Sequence, residues 1–77
     1  MNTYSISYND LDGVWEAFQC DDSVPKANGI GLNTVVIDVS PSYNGEEERD
    51  YFVYVECETI QGAFSEGSIL IESAWPI

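Results

Sequence analysis

Histidine is absent from this 77-residue chain, and the basic residues number two, Lys26 and Arg49. Without histidine, no side chain titrates near neutral pH at its ordinary pKa, and no Ser–His or Cys–His pair is available for nucleophilic catalysis. Cysteine is as scarce. Cys20 and Cys57 are too few for a disulfide framework and form no Cys-x-x-Cys zinc motif, so two reduced, buried core residues are expected. Nor does any apolar run approach the roughly 18 residues needed to span a bilayer. Met1-Asn2-Thr3-Tyr4 has neither the basic nor the apolar segment of a signal peptide, so a cytoplasmic protein is expected. No Gly-x-x-x-x-Gly-Lys loop occurs, and Asn28-Gly29-Ile30-Gly31 is too short for a dinucleotide fingerprint.

Acid is what the chain holds in excess. Fourteen Asp and Glu against two cations give a formal net charge of −12. Solubility alone asks for a magnitude of only about 2–8, and self-repulsion at this density works against the compact state. Residues 1–40 hold six acids and Lys26, a net of −5, while residues 41–77 hold eight acids and Arg49, a net of −7. The charge therefore belongs to the whole surface and not to a tail. With 44% hydrophobic and 13% aromatic residues, the composition is still that of a folded protein, and residues 1–77 read as one small domain. Paired carboxylates such as Asp10/Asp12 or Glu56/Glu58 have the residue types of a glycosidase pair, but so small a domain leaves little room for a substrate cleft. Asp10-Leu11-Asp12-Gly13 matches only the opening of an EF-hand loop, whose twelfth position falls on Asp21 where Glu is required. No enzyme activity, cofactor or metal is expected.

Strand signals dominate the chain. Tyr4, Ile6 and Tyr8 alternate with serines, Asn9–Gly13 supplies turn residues, and Val14–Cys20 resumes extended structure, which predicts a hairpin over residues 3–20. A helix over Leu11–Cys20 is the competing reading, because Glu, Ala and Gln favour helix. Asp21–Asn33 is rich in turn residues and predicts a loop or a short helical turn. Thr34–Val39, Tyr51–Glu58 and Ser68–Trp75 read as further strands, the last stopped by Pro76, with Thr59–Gly67 as a connection. Asn44-Gly45 is a hairpin-turn dipeptide within a longer connection. The expectation is an all-β domain, a five-stranded antiparallel meander or half-barrel, with α+β as the alternative.

Tyr51, Val53, Val55 and Cys57 form one face of the strongest strand, and Phe52, Tyr54, Glu56 and Glu58 the other. Aromatics beside carboxylates on a nominally exposed face have the character of an interface. Glu56 and Glu58 would lie about 6.6–7 Å apart on one strand, similar to successive phosphates of a nucleic acid, with Asp38 and Glu72 extending the array if their strands are neighbours. Glu46, Glu47 and Glu48, with Asp50, form a dense acidic knob assigned to a loop. Asp38, Glu46, Glu47, Glu48, Phe52, Tyr54, Glu56 and Glu58 are therefore the candidate partner-binding residues. The fitting partner is a basic protein that normally grips phosphate, because such proteins bind through Lys and Arg. Direct nucleic-acid or membrane binding is not expected, and a homodimer remains open.

In size, charge and lack of catalytic motifs, the chain resembles small bacteriophage counter-defence proteins, of which anti-CRISPR proteins are the nearest group. The resemblance implies a stoichiometric inhibitor in the host cytoplasm. Its target would be a CRISPR effector subunit or another nucleic-acid-binding defence protein, blocked in DNA recognition or nuclease recruitment, with mimicry of DNA charge as one route. Two other classes share these features: immunity proteins or antitoxins that neutralise a basic nuclease toxin, and virion assembly modules. Because almost no carboxylate can find a cation, the melting temperature should rise as sodium chloride goes from low to physiological ionic strength. A fall over that range would show that attractive pairs dominate the surface.

Overall fold

The alternation in the first twenty residues closes as a hairpin in the computed structural model, which describes residues 1–41 and 44–75. Strand β1 (Asn2–Asn9) pairs antiparallel with β2 (Val14–Cys20), Tyr8 opposite Trp15 and Ile6 opposite Ala17. The turn between them is built on Asn9, whose side-chain oxygen accepts the N–H groups of Leu11 (3.1 Å) and Asp12 (2.9 Å). Gly13 follows at φ 68°, a left-handed value that glycine adopts without penalty. The competing helix over Leu11–Cys20 is thus excluded.

Asp21–Asn33 contains the short helical turn, α1 (Ser23–Asn28). The Asp21 carboxylate accepts the Ser23 N–H at 2.9 Å, and that bond holds its pKa below the usual range. Pro25 sits in the first turn, where a missing N–H removes no helical bond. At the other end Gly29 and Ile30 donate back to the carbonyls of Lys26 and Pro25, a glycine-capped ending with Gly29 at φ 69°. Strand β3 (Val36–Pro41) then pairs with β4 (Glu47–Cys57), Val36 opposite Phe52 and Pro41 opposite Glu47. The third strand begins two residues later than Thr34 and runs through Pro41, because an edge strand tolerates proline. The fourth begins at Glu47 rather than Tyr51, so Glu47, Glu48 and Asp50 stand on a strand and not in a loop. Gly45, in the connection before it, has φ 81°.

The largest correction concerns the C-terminal part. Residues 59–75 contain no strand; Ile60–Ser73 is a helix, α2, and the stop at Pro76 lies outside the described residues. Thr59 caps it, its hydroxyl accepting the Gly62 N–H at 3.1 Å. Ala63, Gly67 and Ile71 recur every fourth residue and are the buried positions of the helix. The domain is therefore α+β: a four-stranded antiparallel sheet in the order β2-β1-β4-β3, with β1 and β4 central, and two helices. It is neither a five-stranded meander nor a half-barrel.

One face of the sheet, here the covered face, packs under α2. Its core is Tyr4, Ile6, Tyr51, Val53 and Val55 from the strands and Ala63 and Ile71 from α2, with Cys57 at its margin. Aromatic rings close one end: Tyr8 lies 4.4 Å from Trp15 and 5.6 Å from Trp75, and Phe64 meets Trp15 edge-on at 5.7 Å. At Gly67 the helix touches the sheet. A Cβ there would lie 2.5 Å from Ile6 Cγ1 and 2.7 Å from Ile6 Cβ. On helix propensity alone Gly67→Ala would gain about 1 kcal/mol. The clash should reverse the sign and destabilise the fold by about 1–3 kcal/mol, read as a lower urea midpoint at unchanged slope.

Candidate binding surface

The opposite, open face of the sheet carries the alternate residues: Val14, Glu16 and Phe18 on β2, Thr3, Ser5, Ser7 and Asn9 on β1, Glu48, Asp50, Phe52, Tyr54 and Glu56 on β4, and Val36, Asp38 and Ser40 on β3. Its two ends differ. At the Thr3 end, α1 and the segment after it lie over the sheet. Thr3, Pro25 and Tyr54 are buried there, Asn28 Nδ2 donates to the Tyr54 hydroxyl at 3.0 Å, and the Asn33 N–H bonds the Tyr54 carbonyl at 2.8 Å. Tyr54, only 7% exposed, is thus not an accessible anchor; it holds α1 in place. Lys26 and Glu56 line the same cleft at this end, so one of the two cations sits among these acids.

At the other end no helix of the described residues lies over the open face of the sheet, and its surface is acidic. Asp38 on β3 stands directly opposite Asp50 on β4, both exposed, a like-charge cross-strand pair of the kind that lowers stability. Asn9 Nδ2 donates to Glu48 Oε1 at 2.5 Å and to Asp50 Oδ1 at 2.7 Å. The same amide whose oxygen shapes the hairpin turn thereby gathers two carboxylates beside Asp38. Glu16, Asp50 and Asp12 rim a shallow hollow of about 340 Å³ with Ser7 in its lining. The small serines of β1 keep its floor low. Among the described residues both ion pairs are made by Arg49, to Glu47 (2.9 Å) and Asp10 (3.6 Å). Arg49 alternates with Asp50 and so belongs to the covered side of the sheet. Its charge is spent on the strand-end ladder, where Asp10 also accepts the Arg49 N–H at 2.8 Å.

The sequence-derived residues are therefore distributed unevenly. Asp38, Glu48, Asp50 and the partly buried Phe52 converge on the bare end. Glu47 lies on the covered side and pairs with Arg49, and Glu46 is exposed in the connection before β4. Glu58 falls one residue beyond the end of β4, so the two-residue strand repeat with Glu56 does not form. Glu72 is on α2, in the other layer, and does not extend an array on β4. Glu16 and the 59% exposed Phe18 join the surface from β2; their alternation with Val14 marks the face they share, but only the pairing Glu16–Ser7 and Ser7–Phe52 sets them beside the acids of β4.

The two thiols are ionised less readily than free cysteines. Burial pushes the Cys20 thiol up, with the charge of Asp21 adding to it. Partial burial also raises Cys57, together with a hydrogen bond to Glu66 and the charges of Glu66 and Glu58. Among the described residues no group of three or more His, Cys, Asp or Glu side chains is placed to hold a metal ion, and no helix is long and apolar enough to cross a membrane. No family model, curated protein or solved structure matches the chain.

Two measurements check this geometry. Asp38→Asn removes half of the like-charge pair and should raise the melting temperature by about 2–4 °C at low salt, a gain that shrinks as salt is added. Both raised thiols lower the thiolate fraction, so labelling by a disulfide reagent near pH 8 should be slower in the folded protein than in urea at the same pH.

Proposed function

We propose that the protein is a non-catalytic inhibitor of a bacterial defence system, of the anti-CRISPR kind, acting in the host cytoplasm. It binds a basic nucleic-acid-handling protein and blocks its access to DNA or its recruitment of a nuclease. The observation that supports this reading best is the bare end of the open face, where Asp38, Glu48, Asp50 and Glu16 gather without a paired cation. A fold selected for stability alone gains nothing from setting Asp38 opposite Asp50. A Lys- and Arg-lined groove built for phosphates relieves that repulsion on contact. Carboxylates of this end draw the target in and set the association rate, while Phe52 and Phe18 supply packed contact. The hollow among Asp12, Glu16 and Asp50 accepts one cationic side chain of the target.

The test is plaquing of phage on a panel of bacteria whose CRISPR systems restrict it, with and without the protein expressed. It should restore plaquing on at least one strain, and the purified protein should displace target DNA from that strain's effector. The double variant D38K/D50K, folded by circular dichroism, should lose both effects, chiefly through slower association. Unchanged inhibition by that variant would remove this end of the sheet from the interface. Rescue of cells from a basic nuclease toxin, with plaquing unaffected, would overturn the counter-defence reading in favour of an immunity protein.

A further inference from the structure

The order β2-β1-β4-β3 leaves β3 at one edge of the sheet, and α2 lies over β4, β1 and β2. Among the described residues, no strand or helix pairs with the outer side of β3. Ile37 and Val39, on the covered side, are 41% and 56% exposed, and Asp38 and Ser40 are exposed on the open side. Every second residue of such a strand points its N–H and C=O outward with no partner strand to meet them. Edge strands are usually guarded by charged side chains, most often lysine, by proline, by a bulge or by covering structure. Here the register with β4 is one-to-one from Val36 to Pro41, without a bulge. The strand's one charge is Asp38, which repels another acidic strand and not a cationic one, and proline comes only at the last position. Beside the segment that leads into β3, Asn33, Glu66, Ile69 and Leu70 line a mostly apolar hollow of about 420 Å³, with Ile69 62% exposed.

We propose that the outer edge of β3 takes up an extended basic segment of the target as an added strand. Its alternate Lys or Arg residues lie over Asp38 and Asp50, and the apolar residues between them cover Ile37 and Val39. Charge selects this occupant over a second copy of the chain. Two β3 edges brought together would add a further Asp38 and Asp50 to a face that already carries the like-charge pair, whereas a strand of alternating cations neutralises it. Main-chain bonds along the edge supply affinity, and the two-sided alternation supplies specificity. The basic character of the added strand rests on the function proposed above; the availability of the edge does not.

The probe is a short synthetic peptide alternating Lys with Val, compared with a peptide of the same composition in which the lysines form one block. Amide exchange of the full-length protein is followed by nuclear magnetic resonance. The alternating peptide should slow exchange of alternate amides within Val36–Ser40 by about tenfold or more, and the blocked peptide should not. N-methylation of the peptide amides that face β3 should abolish the protection, and Asp38→Lys should weaken binding about tenfold or more at low salt. Equal binding of both peptides, with shifts at Glu16 and Asp50 and no protection on β3, would overturn strand addition while leaving the acidic face as a binding surface. Protection of β2 in place of β3 would also overturn it. Failure of both peptides to bind at low salt would count against strand addition and the charge-based reading together.

Discussion

The close approach of Gly67 to Ile6 sets the geometry of the whole domain. Helix α2 has one narrow buried stripe of Ala63, Gly67 and Ile71, and the missing side chain at its middle lets the backbone settle onto the central strand β1. That contact centres the helix over β1 and β4, the two strands with neighbours on both sides. A helix of 14 residues placed there lies over β2 as well but not over β3. The exposed Ile37 and Val39 are therefore a consequence of where the helix is pinned. Any larger residue at position 67 would lift the helix and loosen the core that Ala63 and Ile71 of α2 share with Val53 and Val55.

Charge is organised by the same layering. The part of the covered face that packs against α2 is apolar, so acids are left to the strand ends, to the helix surface and to the open face. Arg49 is taken up at the strand ends by Asp10 and Glu47, and Lys26 belongs to α1, which roofs the Thr3 end. Segregation of both cations from the Asp38–Asp50 region follows from their places in the chain. Asn9 provides an internal offset there, through two hydrogen bonds from a neutral amide. Such bonds orient the carboxylates without cancelling their charge, so the surface is arranged and still strongly negative.

The first hairpin and the buried face of β4 are legible in the sequence because strict alternation has a single structural meaning when turn residues flank it. Ser68–Trp75 reads as a strand because Ile69-Leu70-Ile71 is a short apolar run, which periodicity alone does not assign. Glycines at 62 and 67 reinforce that error, since glycine is normally a poor helix former. The deciding signals were Thr59 as a cap and the four-residue spacing of Ala63, Gly67 and Ile71. Glu47–Asp50 looks like a loop because charge is rare in strands, yet pairing with β3 carries it. Tyr54 looks exposed because alternation assigns a face without saying what covers it. The opposition of Asp38 and Asp50 depends on register between distant segments and has no local signature at all.

Placing β1 in the centre of the sheet also constrains how the chain reaches its native state. Its partners in β4 lie from 41 (Asn9 to Asp50) to 55 (Asn2 to Cys57) positions away, whereas the nearest pair in the hairpin, Asn9 with Val14, is only five apart. Closing the longer loop costs about 2 kcal/mol more in chain entropy, and topologies that depend on such distant pairs fold slowly. Until residues 47–57 arrive, Tyr4 and Ile6 belong to a two-stranded ribbon with one flank unpaired, a form that is marginal in water. The strand that ends most enclosed is thus the one that waits longest for its second neighbour, with the hairpin closed by Asn9 to hold it meanwhile.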